Sequence, residues 1–532
     1  MGVKCRSVRS RRSMHPSHPI PTAALTACLV GCTMGPDAPK LAATDAGLSE
    51  RESWESSALT AEEAAVARAL AHAQGSEELV AWWTRFGDPV LDRLIARADR
   101  TNADLGQALS RVRVAQAQLG VAEADLWPDI VGGANYDRIK QNFSQLAAQG
   151  VDTTPYSVWA YGLAMGSWEI DLWGRIRRLI EAANQDLRAG VDDLRSAIVS
   201  VRAGVATTYM ELRTLEARMA ALDASVAAMQ QTLDLTSRRY TAGTATQLEV
   251  NRAQANLEAE AAQLPGLRSS YAQALGQMAQ LCGTSVDEVA KDLGSGAIPA
   301  APVAIDAGIP ATLLERRPDL RAAAERYSAA VSRIGAAEAS KWPTLSLSGN
   351  FYISATDFSG LGDWANRAYS FGPSLTVPIF TAGRIDAQIA SARAQAELAF
   401  NAWRSVLVRA VAEVDSSIAG ALLAAESRDR FGRALASATD TERLGRLQYQ
   451  NGTITLDHLL DLQEELYSVQ DAEAQARGLA AQSAVALYRA LGGGWQDVAP
   501  LQDDAMKDAA KATGSSPAGA ASRDPSAAKE SR

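Results

Sequence analysis

The sequence predicts a mainly α-helical chain that is duplicated internally and carries four β-strands of the membrane type. Three observations predict this fold class. The chain of 532 residues has only 6% aromatic residues, and its abundant Ala, Leu, Glu, Gln and Arg favour long helices. Two long stretches, 156–264 and 379–499, contain no proline. Shorter segments alternate apolar with small polar residues, as strands do when their two faces meet different surroundings.

Residues 1–31 are predicted to be a signal peptide and not part of the fold. Basic side chains cluster at the start, and the apolar stretch 20–30 is too short to span a bilayer. This stretch ends in Leu29-Val30-Gly31-Cys32, which looks like a bacterial lipobox, so Cys32 is expected to carry a lipid after cleavage. The alternative is an ordinary secretory signal followed by an incidental cysteine. Residues 32–80 are then predicted to be a lipidated linker with an acidic insert.

Three landmarks recur in the same order along the chain. Gly120 to Trp127-Pro128 returns as Gly335 to Trp342-Pro343, Gly174-Arg175-Ile176 as Gly383-Arg384-Ile385, and Tyr240-x-x-Gly243 as Tyr449-x-x-Gly452. The offset is 215 residues for the first landmark and 209 for the other two. This near-constant spacing indicates two structural repeats, which we place at 81–290 and 305–495. The tail at 502–532 is rich in small and charged residues and is predicted to be disordered.

Each repeat is predicted to hold a very long helical hairpin. The stretch from the landmark glycine to the landmark tyrosine covers 67 positions in both repeats, and an unbroken helix of that length would measure ~100 Å. Such a helix must bury an apolar stripe against partner helices, as coiled coils do. Gly243 and Gly452 are expected to end these helices in the left-handed conformation. The hairpin tips therefore lie at 240–246 and 449–455.

Four segments alternate in the manner of membrane strands. They lie at about 128–139, 156–170, 343–354 and 369–380. In the third, apolar residues from Leu345 to Ile353 alternate with serine, asparagine and tyrosine, the pattern of a strand with lipid on one side and water on the other. A half-buried soluble hairpin is the alternative. Open strand edges cannot face lipid, and four strands cannot enclose a lumen, so several chains must share one barrel.

Composition and motifs give no sign of catalysis. The formal net charge of −9 argues against a nucleic-acid partner. The four histidines are His15, His18, His72 and His458, and they form no metal-ligand motif. The sequence has neither a nucleophile elbow nor a phosphate-binding loop. We therefore expect no cofactor, no metal site and no enzymatic activity.

Three further motifs carry a family resemblance. They are Trp82-Trp83-Thr84-Arg85-Phe86-Gly87-Asp88-Pro89, Leu314-Glu315-Arg316-Arg317-Pro318-Asp319-Leu320-Arg321 and Val377-Pro378-Ile379-Phe380-Thr381-Ala382-Gly383-Arg384. Together with the lipobox, they make the chain resemble the NodT-type lipoproteins among the TolC-like outer-membrane efflux factors. The resemblance covers Cys32 and roughly 82–495. It implies a homotrimer whose chains close a twelve-stranded membrane β-barrel and a long α-helical coiled-coil barrel.

The resemblance also implies a function and partners. Family members are outer-membrane channels of tripartite efflux systems, which conduct small molecules passively to the exterior. They work with a periplasmic adaptor, or membrane fusion protein, and an inner-membrane pump. The chain is thus expected in the outer-membrane lipid, anchored through Cys32, with a large periplasmic portion. The alternatives are the outer-membrane duct of a type I protein secretion system and a lipid-anchored coiled-coil scaffold without a pore.

The resemblance assigns two roles at the hairpin tips. Tyr240, Gly243, Tyr449 and Gly452 match the tip motif that contacts the adaptor, although each tyrosine could instead pack at the end of the coil. Asp457 and Asp461 are four residues apart and share one helical face. Repeated by symmetry they would ring the periplasmic aperture, or else they lie on a solvated face. His458 departs from the family pattern, because relatives are often acidic there.

Glu249 completes the predicted aperture gate. In relatives, the tyrosine of the second tip reaches an acidic residue shortly after the glycine of the first tip. Here that pairing would join the Tyr449 hydroxyl to the Glu249 carboxylate as a latch. The competing interpretation is that Tyr449 only packs, while Glu249 pairs with Arg252 or Arg239.

Overall fold

The computed structural model describes residues 33–39, 41, 60, 79–140, 155–302 and 316–496. The predicted signal peptide, the predicted acylation site at Cys32, most of the acidic insert and the tail at 502–532 lie outside these residues. The chain divides into two compact units. Of the described residues, 33–36, 122–140, 155–180 and 332–390 form the sheet unit, and the rest form the helical unit.

The two repeats have related orders of elements. The first contains helices α1 (Pro89–Thr101) and α2 (Ala103–Ala124), strands β1 (Ile130–Ile139) and β2 (Tyr156–Ile170), and helices α3 (Arg175–Thr241), α4 (Gln247–Ala261), α5 (Leu264–Cys282) and α6 (Val286–Leu293). The second contains α7 (Pro318–Ala339), β3 (Thr344–Ala355), β4 (Arg367–Thr376), α8 (Arg384–Gln450) and α9 (Leu456–Ala490). The long helices α3 and α8 have 67 residues each, the same number as the landmarks enclose.

The sheet unit holds an antiparallel sheet with the strand order β1-β2-β3-β4. Leu163 lies opposite Phe351, and Phe351 lies opposite Tyr369, so apolar side chains collect on one face. Ala164 lies opposite Asn350 on the other face, which is lined by small and polar residues. The register therefore produces the two-faced sheet that the alternation predicts, and it leaves β1 and β4 as the two edges.

Strand β4 differs from its prediction at both ends. It begins at Arg367 and not at about 369, and it ends at Thr376 and not at about 380. Val377 and Ile379 continue the alternation in sequence but lie outside the ladder, and Ile379 is 94% exposed. Pro378 has no N–H to donate to a neighbouring strand, so the pairing ends before it. The predicted extension to 380 is wrong for this reason.

The helical unit is organised around a large apolar core. The first family motif is part of it, because Trp82 is buried and its ring stacks on Tyr488 with 5.1 Å between centroids. A polar network completes the core. The buried Arg213 donates to the Tyr209 hydroxyl at 3.0 Å, and Tyr209 donates to the Asp88 carboxylate at 2.5 Å. Burial raises the pKa of Tyr209, so it stays a protonated donor. No helix in the described ranges is both long and apolar enough to cross a membrane.

Candidate functional site at the hairpin tips

The two hairpin tips share one backbone design. In the first tip, the N–H of Gly243 donates to the carbonyl of Tyr240 at 2.9 Å, and in the second the N–H of Gly452 donates to the carbonyl of Tyr449 at 3.0 Å. One further bond of the same kind follows in each tip. The two glycines have φ values of 75° and 73°, a left-handed conformation that disfavours any residue with a Cβ. The tips are thus duplicated down to their hydrogen bonds.

An apolar cluster joins the two tips within one chain. Its buried members are Met229, Leu233, Ala253, Leu257, Tyr449, Leu456, Leu459 and Leu460. They come from all four helices of the two hairpins, and we call them the tip cluster. Burying apolar surface stabilises by about 25 cal/mol per Å². Packing therefore holds the tips together before any polar contact between them is considered.

The two landmark tyrosines lie in different surroundings. Tyr449 is only 2% exposed, its hydroxyl lies 3.3 Å from the Thr236 hydroxyl, and the Arg239 guanidinium sits 4.8 Å above its ring. Tyr240 is 45% exposed. Of the two, Tyr240 is therefore the one that a partner can reach, whereas Tyr449 packs against its own chain.

The predicted latch between Tyr449 and Glu249 is not formed in this chain. The Glu249 carboxylate accepts the N–H of Thr246 at 2.6 Å, and the Thr246 hydroxyl accepts the N–H of Glu249 at 3.3 Å. This reciprocal capping box satisfies two N–H groups at the start of α4. The Tyr449 hydroxyl faces Thr236 instead. The hydrogen bond predicted as a latch is thus absent from this conformation, in which the Glu249 carboxylate caps α4 and the Tyr449 hydroxyl lies against Thr236.

An ion pair connects the two hairpins beside the tips. Nη1 of Arg252, on α4, lies 2.6 Å from Oδ1 of Asp457, on α9, and the two side chains are 55% and 53% exposed. Such exposed pairs contribute ~0–1 kcal/mol and weaken in salt. Asp461 lies one turn further along α9 and is also exposed. The structure thus places both predicted aspartates on the same helix, with the charge of Asp457 balanced by Arg252.

Buried polar side chains support the tips, and sequence analysis did not single them out. The Gln463 amide donates to the Thr232 hydroxyl at 3.0 Å, and the Ser225 hydroxyl donates to the Glu260 carboxylate at 3.1 Å. Burial raises the pKa of Glu260, the Ser225 bond lowers it, and the nearby charge of Glu464 raises it again, with a net shift upwards. The signal that could have found Gln463 is its polar type at a position where helical spacing predicts an apolar residue.

The geometry of the site is suited to contact and closure. Its charged groups take part in a helix cap, an ion pair between hairpins and buried hydrogen bonds. Across the described ranges, His, Cys, Asp and Glu side chains form no group of three or more that could hold a metal ion. What the arrangement can do is hold two helix ends together through weak, separable contacts.

Comparison with known proteins decides the family. The family model described as outer membrane efflux protein matches the chain twice, over residues 94–284 and 309–493. The chain belongs to the outer membrane efflux protein family. One match falls in each of the two repeats that the landmarks define, and together the matches cover more than half of the chain.

Individual relatives agree with this assignment. The pyoverdine export outer membrane protein OpmQ of Pseudomonas putida is 30% identical over 425 residues, which are 79% of this chain and 89% of OpmQ. Nodulation protein T of Rhizobium leguminosarum bv. trifolii is 28% identical over 431 residues, 80% of this chain and 90% of that protein.

The solved structure of the outer-membrane channel OprN is similar in sequence and in fold. It has 31% identity and a TM-score of 0.76, and the match covers 87% of this chain and 100% of the OprN chain. The predicted family, the fold of an α-barrel with β-strands, the role as an outer-membrane efflux component and the outer-membrane location are therefore confirmed.

Proposed function

We propose that three copies of this chain form the passive exit duct of a tripartite efflux system. Each copy contributes four strands to a twelve-stranded barrel and its long hairpins to a helical tunnel. A periplasmic adaptor and an inner-membrane pump deliver the substrate, which passes through unchanged, so the chain is not an enzyme. A lipid on Cys32 anchors each copy in the outer membrane.

The observation that carries this proposal is the apolar surface that a single chain leaves uncovered. On the sheet, Leu163, Phe371 and Leu375 are 56%, 64% and 64% exposed. Strands β1 and β4 end the sheet with unpaired backbone groups, which lipid does not tolerate. Pairing β1 of one copy with β4 of the next removes both edges and leaves the apolar face towards lipid.

Helix α8 supplies the second uncovered surface. Its exposed large apolar side chains are Leu398, Val408, Leu423, Phe431, Leu444 and Leu447, with exposures from 36% to 71%. On α3, which is described along its whole length, Tyr240 is the only comparable exposed side chain. The two helices are repeats of equal length, so the difference supports packing of α8 against a neighbouring copy.

The tips support a role as the closure of the periplasmic end. The tip cluster and the pair of Arg252 with Asp457 hold the two hairpins of one chain together. Separating them requires exposure of the tip cluster and loss of the Arg252 ion pair and of the hydrogen bonds that join Thr232 and Thr236 to the second hairpin. We propose that binding of the adaptor offsets this cost. We assign adaptor contact to the exposed Tyr240 and the turns at Gly243 and Gly452.

The remaining tip residues serve the aperture in different ways. Asp457 and Asp461, repeated in three copies, are proposed to form an anionic ring that favours cations. Glu249 contributes by fixing the start of α4 and not by bonding Tyr449. Tyr449 contributes by packing in the tip cluster.

Small molecules are the proposed cargo. OpmQ, the relative at 30% identity, is named for the export of pyoverdine. Deleting the gene should then sensitise cells to small toxic compounds and leave polypeptide secretion intact. A secretion defect without such sensitisation would favour the type I secretion duct.

Assembly and conduction test the proposal directly. The purified lipoprotein should behave as a trimer in detergent by light scattering and should conduct ions in a planar bilayer. A Leu423→Arg change on α8 should shift the protein towards monomers. Leu248→Arg, at the 68% exposed Leu248 at the start of α4, is the matched control and should leave the trimer intact. A stable wild-type monomer without conductance would support the scaffold alternative.

A further inference from the structure

The segment that follows Cys32 is bound by the sheet unit through its backbone. The N–H of Met34 donates to the carbonyl of Trp173 at 3.1 Å. The Arg178 guanidinium donates from Nε to the carbonyl of Met34 at 3.1 Å and from Nη2 to the carbonyl of Gly35 at 3.3 Å. Arg178 is 4% exposed, so a buried charge is used to hold main-chain oxygens of a segment 143 or 144 residues away in sequence.

Close approach of backbones explains the glycines around this segment. A Cβ on Gly335 would lie 2.6 Å from the carbonyl oxygen of Met34, and a Cβ on Gly174 would lie 2.9 Å from the Cα of Thr33. A Cβ on Gly35 would overlap the Cα of Gly335. Gly335 lies inside α7, where glycine weakens a helix relative to alanine. Its presence there is explained by the bound segment.

The residues at the equivalent positions of the other repeat do not make these close contacts. Gly120 corresponds to Gly335 and Gly383 to Gly174, and a Cβ on either would meet nothing within 4 Å. Ala387 stands where the repeat offset places the partner of Arg178. Both repeats have these equivalent positions, but the chain has one N-terminal segment to bind. The arginine and its close contacts accordingly occur in one of the two sets of positions.

We propose that Gly174, Arg178 and Gly335 form a binding site for the chain's own segment Thr33–Gly35, which fixes the point where the anchor leaves the protein. Trp173 stacks on Trp342 at 5.0 Å between centroids, and its ring N–H donates to the carbonyl of Pro343 at 2.7 Å. Indole rings favour the membrane–water interface, so a lipid on the adjacent Cys32 starts at that depth. The anchoring role rests on the acylation proposed above, whereas the binding of Thr33–Gly35 does not.

A spin label just beyond the segment tests the binding. Ala38→Cys provides the labelling site in the full-length, membrane-inserted protein. Cys282 is buried and its pKa is raised to about 11 by that burial, so it stays unlabelled. The nitroxide should be immobilised in Ala38→Cys without further changes and also when Gly120→Ala is added as a control. In Gly335→Ala it should move several-fold faster, because the new methyl group displaces the carbonyl of Met34.

A second pair of variants separates displacement from strain. Gly174→Ala and Gly383→Ala both place a Cβ on a left-handed residue, with φ of 77° and 80°, but only the first meets Thr33. The label should be mobilised in Gly174→Ala and in Arg178→Ala and not in Gly383→Ala. Equal spectra within each matched pair would overturn the site. An unacylated Cys32 by mass spectrometry would instead refute the anchor. The same label in a Cys32→Ser background, which removes the thiol that an unacylated Cys32 would leave, would then test the site alone and should still be immobile.

Discussion

The two hairpin tips have the same backbone and different side-chain support. The first tip is held locally, by the capping box of Thr246 and Glu249, and its tyrosine is exposed. The second has no side-chain cap at Thr455, has His458 where the first has Glu249, and buries its tyrosine in the tip cluster. The difference teaches that duplication preserved the turn while the two copies came to depend on different interactions. The first tip has a side-chain cap of its own, and the second relies on packing against the first.

The largest expected effect comes from truncating the buried tyrosine. Tyr449→Ala removes a fully buried ring from the tip cluster and should lower the local opening free energy of the second tip by roughly 3–5 kcal/mol. Tyr240→Ala should change it by no more than ~0.5 kcal/mol, as exposed substitutions usually do. Amide hydrogen exchange at 447–463 measures both. Equal protection in the two variants would show that the tips are supported alike.

Glu260 in the first hairpin is a buried carboxyl without a counterpart at the equivalent position of the second hairpin, where the repeat offset places Val469. Because burial raises the pKa of Glu260, the folded chain binds its proton more tightly than the unfolded chain. Stability therefore falls as pH rises from the ordinary glutamate pKa through the raised value. Glu260→Gln keeps the partner of Ser225 and removes the charge.

At pH 8, Glu260→Gln should raise the local opening free energy by roughly 1–2 kcal/mol, because it removes a buried charge that is incompletely solvated. The gain should shrink towards pH 4, where the wild-type carboxyl is protonated. Glu464→Gln, at the exposed neighbour, is the matched control with a smaller effect. Hydrogen exchange of 225–261 across this pH range is the measurement, and a pH-independent difference would contradict the assignment.

The caps give the next effect in size. Thr246→Ala removes a side chain that accepts the N–H of Glu249 and should cost ~1 kcal/mol of local stability at the start of α4. Thr455→Ala should cost only a few tenths of a kcal/mol at the start of α9, roughly the size of a neutral surface change, because no side-chain cap is formed there. If the two losses were equal, the first tip would not be the self-supported one.

The smallest effect on stability should come from the ion pair between the hairpins. Arg252→Ala should cost less than ~1 kcal/mol and less still in high salt. It should nevertheless raise channel conductance without adaptor, since it removes a contact that holds the tips together. Asp457→Asn should raise the conductance by a similar amount. Combining it with Arg252→Ala should give no further increase.

Asp461→Asn is the control for that experiment. Its carboxylate lies on the same helix without the arginine contact, so we expect weaker cation preference and unchanged closure. Single-channel recordings of reversal potential and conductance separate the two effects. An increase in conductance with Asp461→Asn equal to that with Asp457→Asn would assign closure to charge alone and not to the pair.

Local sequence signals predicted the fold well and the side-chain partners poorly. Repeated landmarks, proline-free stretches and alternation located the long helices and the four strands, because these patterns express backbone periodicity. The cap at Glu249 was not predicted, although the sequence has the threonine three residues before a glutamate that is typical of a capping box; the sequence analysis assigned Glu249 to the latch instead.

Other features had no local signal. Burial of Tyr449 depends on residues of α3, and the pairing of Arg252 with Asp457 joins positions 205 residues apart. The contact of Gly335 with Met34 likewise exists only once the chain is folded. Alternation also continued past Pro378, where the missing N–H and not the side-chain pattern ends the strand.

The equal length of α3 and α8, 67 residues each, constrains how this chain can change during evolution. One inserted residue in α3 would turn everything beyond it by about 100° and advance it by about 1.5 Å. Met229 and Leu233 would then leave the tip cluster while the partners on α8 and α9 stayed in place. An insertion tolerated in one helix therefore requires a matching insertion in the other. Length variants among natural homologues should accordingly occur as coupled pairs at equivalent positions of the two repeats.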